Sequence, residues 1–119
     1  MSETSDRAAR GVQASKEIVG LETGGPSPLG QAARDFVFSE VWTRPGLDRR
    51  SRVWITLACV CAAGAELPIR IYLAAAMDHH GISEAELREF VLQFAAYQGF
   101  PRASRVEFLL TEILRERAT

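Results

Sequence analysis

Apolar and polar positions along the chain follow a helical spacing, and no strand-like alternation stands out. Residues 4–20, TSDRAARGVQASKEIVG, form a weakly amphipathic pattern anchored by Val12, Ile18 and Val19. The next stretch, LETGGPSP at 21–28, reads as a connector, because paired glycines and two prolines stop a helix. Residues 29–42 predict a second helix with Phe36, Val37 and Trp42 turned inward, broken by the turn TRPG at 43–46. Asp48 is placed to cap a third helix running to about Gly64. A fourth helix is predicted over 66–79, with Pro68 tolerated in its first turn and Gly81 ending it.

SEAE at 83–86 has the form of a capping box, in which Ser83 bonds the backbone of Glu86 and the glutamate reaches back. Behind it Leu87, Phe90, Val91 and Phe94 recur at helical spacing. After the QGFP turn, Pro101 opens a last helix lined by Val106, Leu109, Leu110 and Ile113. The pattern therefore predicts an all-α fold of about six helices in one domain, 1–119, whose first 27 residues are an N-terminal helix and a Gly/Pro connector.

The third helix departs from the amphipathic rule. From Val53 to Ala63 it is apolar on every side, as in a helix surrounded by protein. Five short helices can hardly enclose it in a chain of 119 residues, so part of it is expected to face another subunit. Its two cysteines, Cys59 and Cys61, point about 200° apart at 3.6 residues per turn and so do not pair with each other. Both are expected to be buried, inert thiols.

Charge changes the picture at one place. Arg44, Arg49, Arg50 and Arg52 crowd into EVWTRPGLDRRSRVW, at the mouth of the uncharged run 53–65. A nucleic-acid patch, a pocket for a small carboxylate and an ordinary paired or solvated helix start are the competing readings. The formal net charge of −1 argues against nucleic acid, whose partners are usually basic. Arg49 and Arg52 share a helix face, and a planar guanidinium fork suits carboxylates. No apolar signal-peptide core opens the chain and no charge-free run approaches the roughly 20 residues that span a bilayer. A cytoplasmic protein without a membrane partner is the expectation.

Candidate chemistry gathers on the fourth helix. Glu66 and Arg70 stand four residues apart, the spacing of a surface ion pair. Were they to face a cleft, Arg70 could hold a carboxylate while Tyr72 donates to a developing oxyanion. His79 and His80 close the helix, where a helix C-terminus favours histidine; a pocket acid–base role is the alternative. Adjacent histidines share no face, and no CxxC or HxxxH spacing supports a metal.

WTRPGLDRRSR, AAYQGFPRA and the opening RAARGVQASKEIVG resemble the carboxymuconolactone decarboxylase family over nearly the whole chain. That resemblance implies an all-α, alkylhydroperoxidase D-like helical fold assembling as a trimer or hexamer. It also implies a cofactor-free lyase or isomerase that acts on a small carboxylated lactone or related ring in aromatic-compound catabolism. Tyr72, Glu66 and His80 would then be catalytic, and Arg49, Arg52, Arg70 and His79 would bind substrate. The redox branch carries a CxxC and a histidine where this chain has Ala65, Pro68 and Tyr72, so peroxidase activity is not expected. The decarboxylase pattern HLRAALDNG corresponds to YLAAAMDHHG, so the family histidine is replaced by Tyr72, or by Leu73 if no residue is inserted before Gly81. A catalytically silent member that binds a small acidic metabolite, or serves as an assembly partner, is the alternative that this replacement raises.

Overall fold

The chain enters its first helix, α1 (Glu3–Val19), through a serine cap: the Ser5 N–H donates to Ser2 Oγ at 3.1 Å. In the computed structural model, which describes residues 2–119, the elements that follow are all helical. They are α2 (Pro28–Ala32), a π-helical segment that continues it (Ala33–Val41), α3 (Arg49–Ala63), α4 (Glu66–His79), α5 (Glu84–Gln98) and α6 (Phe100–Arg117). No strand occurs among the described residues, and no helix among them is long and apolar enough to cross a membrane. The helices group into two compact units, the first ending at Arg52 and the second beginning at Val53, so the boundary falls inside α3.

In the first unit α1 packs against the π-helical segment. Gly11, Ala14, Ser15 and Ile18 form the buried stripe of α1, while Val12 and Val19, expected as anchors, are only half-buried. Small residues suit this contact because the backbones approach closely: a Cβ on Gly11 would lie 2.0 Å from the Arg34 carbonyl oxygen. Ser15 fixes the connector by donating to the Val12 carbonyl and accepting from the Thr23 N–H.

The π-helical winding corrects one expectation. Trp42 N–H bonds back five residues to the Val37 carbonyl, and each residue then turns through less than the 100° of an α-helix. The inward stripe becomes Phe38, Ser39 and Trp42, whereas Phe36 is 55% exposed and Val37 also faces outward. Phe38 and Trp42 stack with centroids 6.3 Å apart.

In the second unit α6 packs against α4 and α5. Ile69, Leu73 and Ala76 of α4, Leu87, Val91 and Phe94 of α5, and Val106, Leu109, Leu110 and Ile113 of α6 are buried at the expected helical spacing. The Ser83–Glu86 capping box forms in both directions, with the Glu86 N–H on Ser83 Oγ and the Ser83 N–H on Glu86 Oε1. On α3, Val53, Leu57 and Cys61 are buried, but Ile55 and Cys59 lie on an open face. The expectation that both thiols are buried is thus corrected by the same 200° offset that keeps them apart. Burial pushes the Cys61 thiol up to about 12, which leaves it unreactive at neutral pH.

The Gly11 contact has a measurable sign. Inside a helix, Gly→Ala ordinarily stabilises by ~1 kcal/mol. Here Gly11→Ala is expected to destabilise by about 2–3 kcal/mol, because backbone must move to admit the methyl. Denaturant unfolding of the two proteins checks the direction.

Candidate functional site

Helix α4 carries most of the candidate chemistry and divides it between two faces. Arg70 and Tyr72 are two residues apart and so point about 200° away from each other. Tyr72 and His79, seven apart, fall on one stripe separated by about 10 Å of helix rise. The geometry of α4 therefore puts Tyr72 and His79 on one stripe, two turns apart, and sets Glu66 with Arg70 on another side.

That other side is a register of ion pairs to α6. Arg70 donates to Glu112 at 2.8 Å and also lies 3.6 Å from Glu66. Glu66 in turn reaches Arg105 at 3.3 Å. At the far end of α4, Asp78 accepts both terminal nitrogens of Arg117 at 2.7 and 2.8 Å, and this pairing holds its carboxyl below the usual range. Glu66 and Arg70 thus form the surface pair that their spacing allows, extended into a network between helices.

The arginine cluster is equally engaged. Arg49 bonds Glu17 at 2.7 Å, and that contact, with Gln13, draws the Glu17 carboxyl below its ordinary value. Arg52 donates to the Leu47 and Arg44 carbonyls and so ties down the turn before α3. Asp48 caps α3 as expected: its Oδ1 accepts the Ser51 N–H at 2.7 Å, and its carboxyl is lowered, first by that backbone bond and then by the Ser51 hydroxyl.

Tyr72 is half-buried, and loss of solvent raises its phenol above the ordinary value near 10. It is therefore a protonated hydrogen-bond donor throughout the neutral range. His79 is exposed beside Asp78, and His80 is the half-buried C-cap of α4. Among the described residues no group of three or more His, Cys, Asp and Glu side chains could hold a metal ion.

Two concavities of the second unit differ in charge. An open groove of about 610 Å³ has Trp54 and Phe90 on its floor, their rings 5.6 Å apart, and is edged by Glu86 and Glu89. A smaller cavity of about 230 Å³ lies at the α3–α4 turn, walled by Cys61, Gly64, Ile69 and Val106, with Arg102 and Arg105 on its lining. Gly64 makes that turn in the left-handed region at φ 67°. Neither arginine is marked by the sequence pattern, although Arg102 stands inside the QGFPRA motif. A basic residue on a polar helix face gives no signal of the cavity that another helix completes beside it.

Comparison with known proteins agrees with this helical architecture. The profile of the Carboxymuconolactone decarboxylase family matches residues 28–112. A 4-carboxymuconolactone decarboxylase of Acinetobacter baylyi is 33% identical over 81 residues, 68% of this chain and 60% of its own length. A nitrosuccinic acid decarboxylase of Metarhizium robertsii is 31% identical over 100 residues, 76% of this chain and 69% of its own.

The state of the Tyr72 phenol can be read directly, since the chain has two tyrosines and Tyr97 is exposed. In a Tyr97→Phe background the remaining phenol should ionise above pH 10, followed by absorbance at 295 nm.

Proposed function

Because the chain belongs to the carboxymuconolactone decarboxylase family, we propose that it is a decarboxylase-like lyase acting on a small carboxylated lactone or a related acid. The observation that carries this reading is the family match over 28–112, joined by two relatives that both bear decarboxylase names. The relatives' substrate names share a carboxyl group and an electron-withdrawing acceptor, a lactone carbonyl in one and a nitro group in the other. When the carboxylate leaves as CO₂, the electron pair of the broken C–C bond passes into that acceptor, and a proton then returns to carbon. The acceptor is built into the substrate, so this chemistry asks for no cofactor.

What the protein must supply is a grip on the carboxylates, a donor to the oxygen that becomes negative, and a proton for carbon. Tyr72 suits the second task, because a desolvated phenol stays protonated and forms a strong bond to an oxyanion. His79, on the same stripe, and His80 are the proposed proton carriers. Arg49, Arg52 and Arg70 remain candidates for the carboxylate, but Arg49 and Arg70 would have to exchange Glu17 and Glu112 for the substrate. Glu66 would assist by orienting Arg70.

These internal partners favour a second reading, a silent member that binds an acidic metabolite without converting it. Turnover separates the two. CO₂ release from 4-carboxymuconolactone or nitrosuccinate is expected for the lyase, with Tyr72→Phe lowering kcat by about 10²–10³. No release from either acid sinks the lyase for these substrates, and an unchanged rate in the variant removes Tyr72 from the mechanism.

We further propose that the chain works in the cytoplasm, in the breakdown of aromatic acids, as a homotrimer or homohexamer. Free thiols, one of them exposed, suit a reducing compartment. The open apolar face of α3, with Ile55 and Cys59, supports self-association. Sedimentation equilibrium should then give three or six times the 13.1 kDa chain mass.

A further inference from the structure

We propose that the 230 Å³ cavity at the α3–α4 turn binds a small carboxylic acid, its apolar or unsaturated body inside and its carboxylate on Arg102. The walls include Cys61, Ile69, Pro101 and Val106, so the interior is apolar. The Cys61 thiol stays neutral there and brings no competing charge.

Arg102 differs from the neighbouring arginines. Its terminal nitrogen donates to the Ala62 carbonyl at 3.2 Å and to Gln98 Oε1 at 3.1 Å, both neutral acceptors. Those bonds hold the guanidinium in place without cancelling its charge. Arg105 lines the same cavity but lies against Glu66, so its charge is already offset. A fixed cation whose charge is not cancelled, beside an apolar hollow, selects an amphipathic anion.

Size and sign favour this cavity over the aromatic groove of the same unit. At about 230 Å³ the cavity is smaller than the roughly 300–1,000 Å³ of pockets for drug-sized ligands, so it takes a small metabolite. The larger aromatic groove is edged by Glu86 and Glu89 and would repel a carboxylate.

The assignment shares its ligand class with the proposed lyase but does not need catalysis. It deepens that reading by giving the carboxylate an arginine that no glutamate holds. The test is an amide NMR titration of the full chain with crotonate, against crotonamide as the neutral isostere. Crotonate should shift the amides of Cys61, Gly64, Ile69 and Val106, and crotonamide should bind at least about tenfold more weakly. Arg102→Gln should weaken crotonate by a similar factor with an unchanged melting temperature. Arg102→Lys should retain most of the affinity, and Arg105→Gln should change it little.

Equal binding of the two probes, shifts confined to other residues, or no response at millimolar crotonate would overturn the assignment. So would full affinity in Arg102→Gln. Crotonate binding without turnover of either decarboxylase substrate would support the cavity while sinking the lyase for those substrates. Turnover with an unchanged KM in Arg102→Gln would do the reverse.

Discussion

The register of α6 along α4 is the constraint on which the second unit depends. Glu66 meets Arg105, Arg70 meets Glu112 and Asp78 meets Arg117, in the same order along both helices, so the two run parallel with α5 returning between them in sequence. Each pair is partly exposed and screened by solvent, so it contributes far less than the burial of Leu73, Val106, Leu109 and Leu110. The apolar residues supply the energy of packing, while the charges choose among helix positions that bury similar area. A slip of one turn would set Glu66 against Pro101 or Leu109 and take Asp78 off Arg117. The same register sets Arg102 and Arg105 on the cavity at the α3–α4 turn and leaves Arg70 in the hands of Glu112.

This division of labour bears on how the family scaffold is used here. A site that grips carboxylates needs arginines, yet an arginine in a small helical protein also serves as a tie between helices. Arg49, Arg70, Arg88 and Arg117 all make carboxylate pairs within the chain, and Arg88 bonds Glu107 and Thr111 between α5 and α6. Count of positive charge is therefore a poor guide to anion binding; what matters is which guanidinium lacks a carboxylate in the folded chain. Burial of the Tyr72 phenol acts in the same direction as its chemistry, raising a group that is already protonated at neutral pH.

Much of the fold was legible because its punctuation is local. Asp48, the Ser83–Glu86 box, Pro68, Gly81 and Pro101 each act through backbone geometry within a few residues, and the bounds of α4 came out as expected. The segment Ala33–Val41 did not, because a pattern read at 3.6 residues per turn cannot foresee winding that bonds five residues back. Cys59 lies outward against expectation because both sides of α3 are apolar, and hydropathy alone does not say which side meets protein. Tyr72 stands out as a candidate through the family pattern, whereas nothing near Arg102 in the sequence reports the hollow that α6 closes at the α3–α4 turn.

Gly64 gives that hollow an evolutionary dimension. A Cβ at this position would meet nothing within 4 Å, so glycine is held there by its left-handed backbone and not by crowding. Asparagine and aspartate are the residues that adopt this conformation at least cost after glycine. Drift at one codon could thus hang an amide or a carboxylate over the cavity mouth while leaving the helices undisturbed. Descendants of this chain could change the charge preference of the cavity without rebuilding its walls.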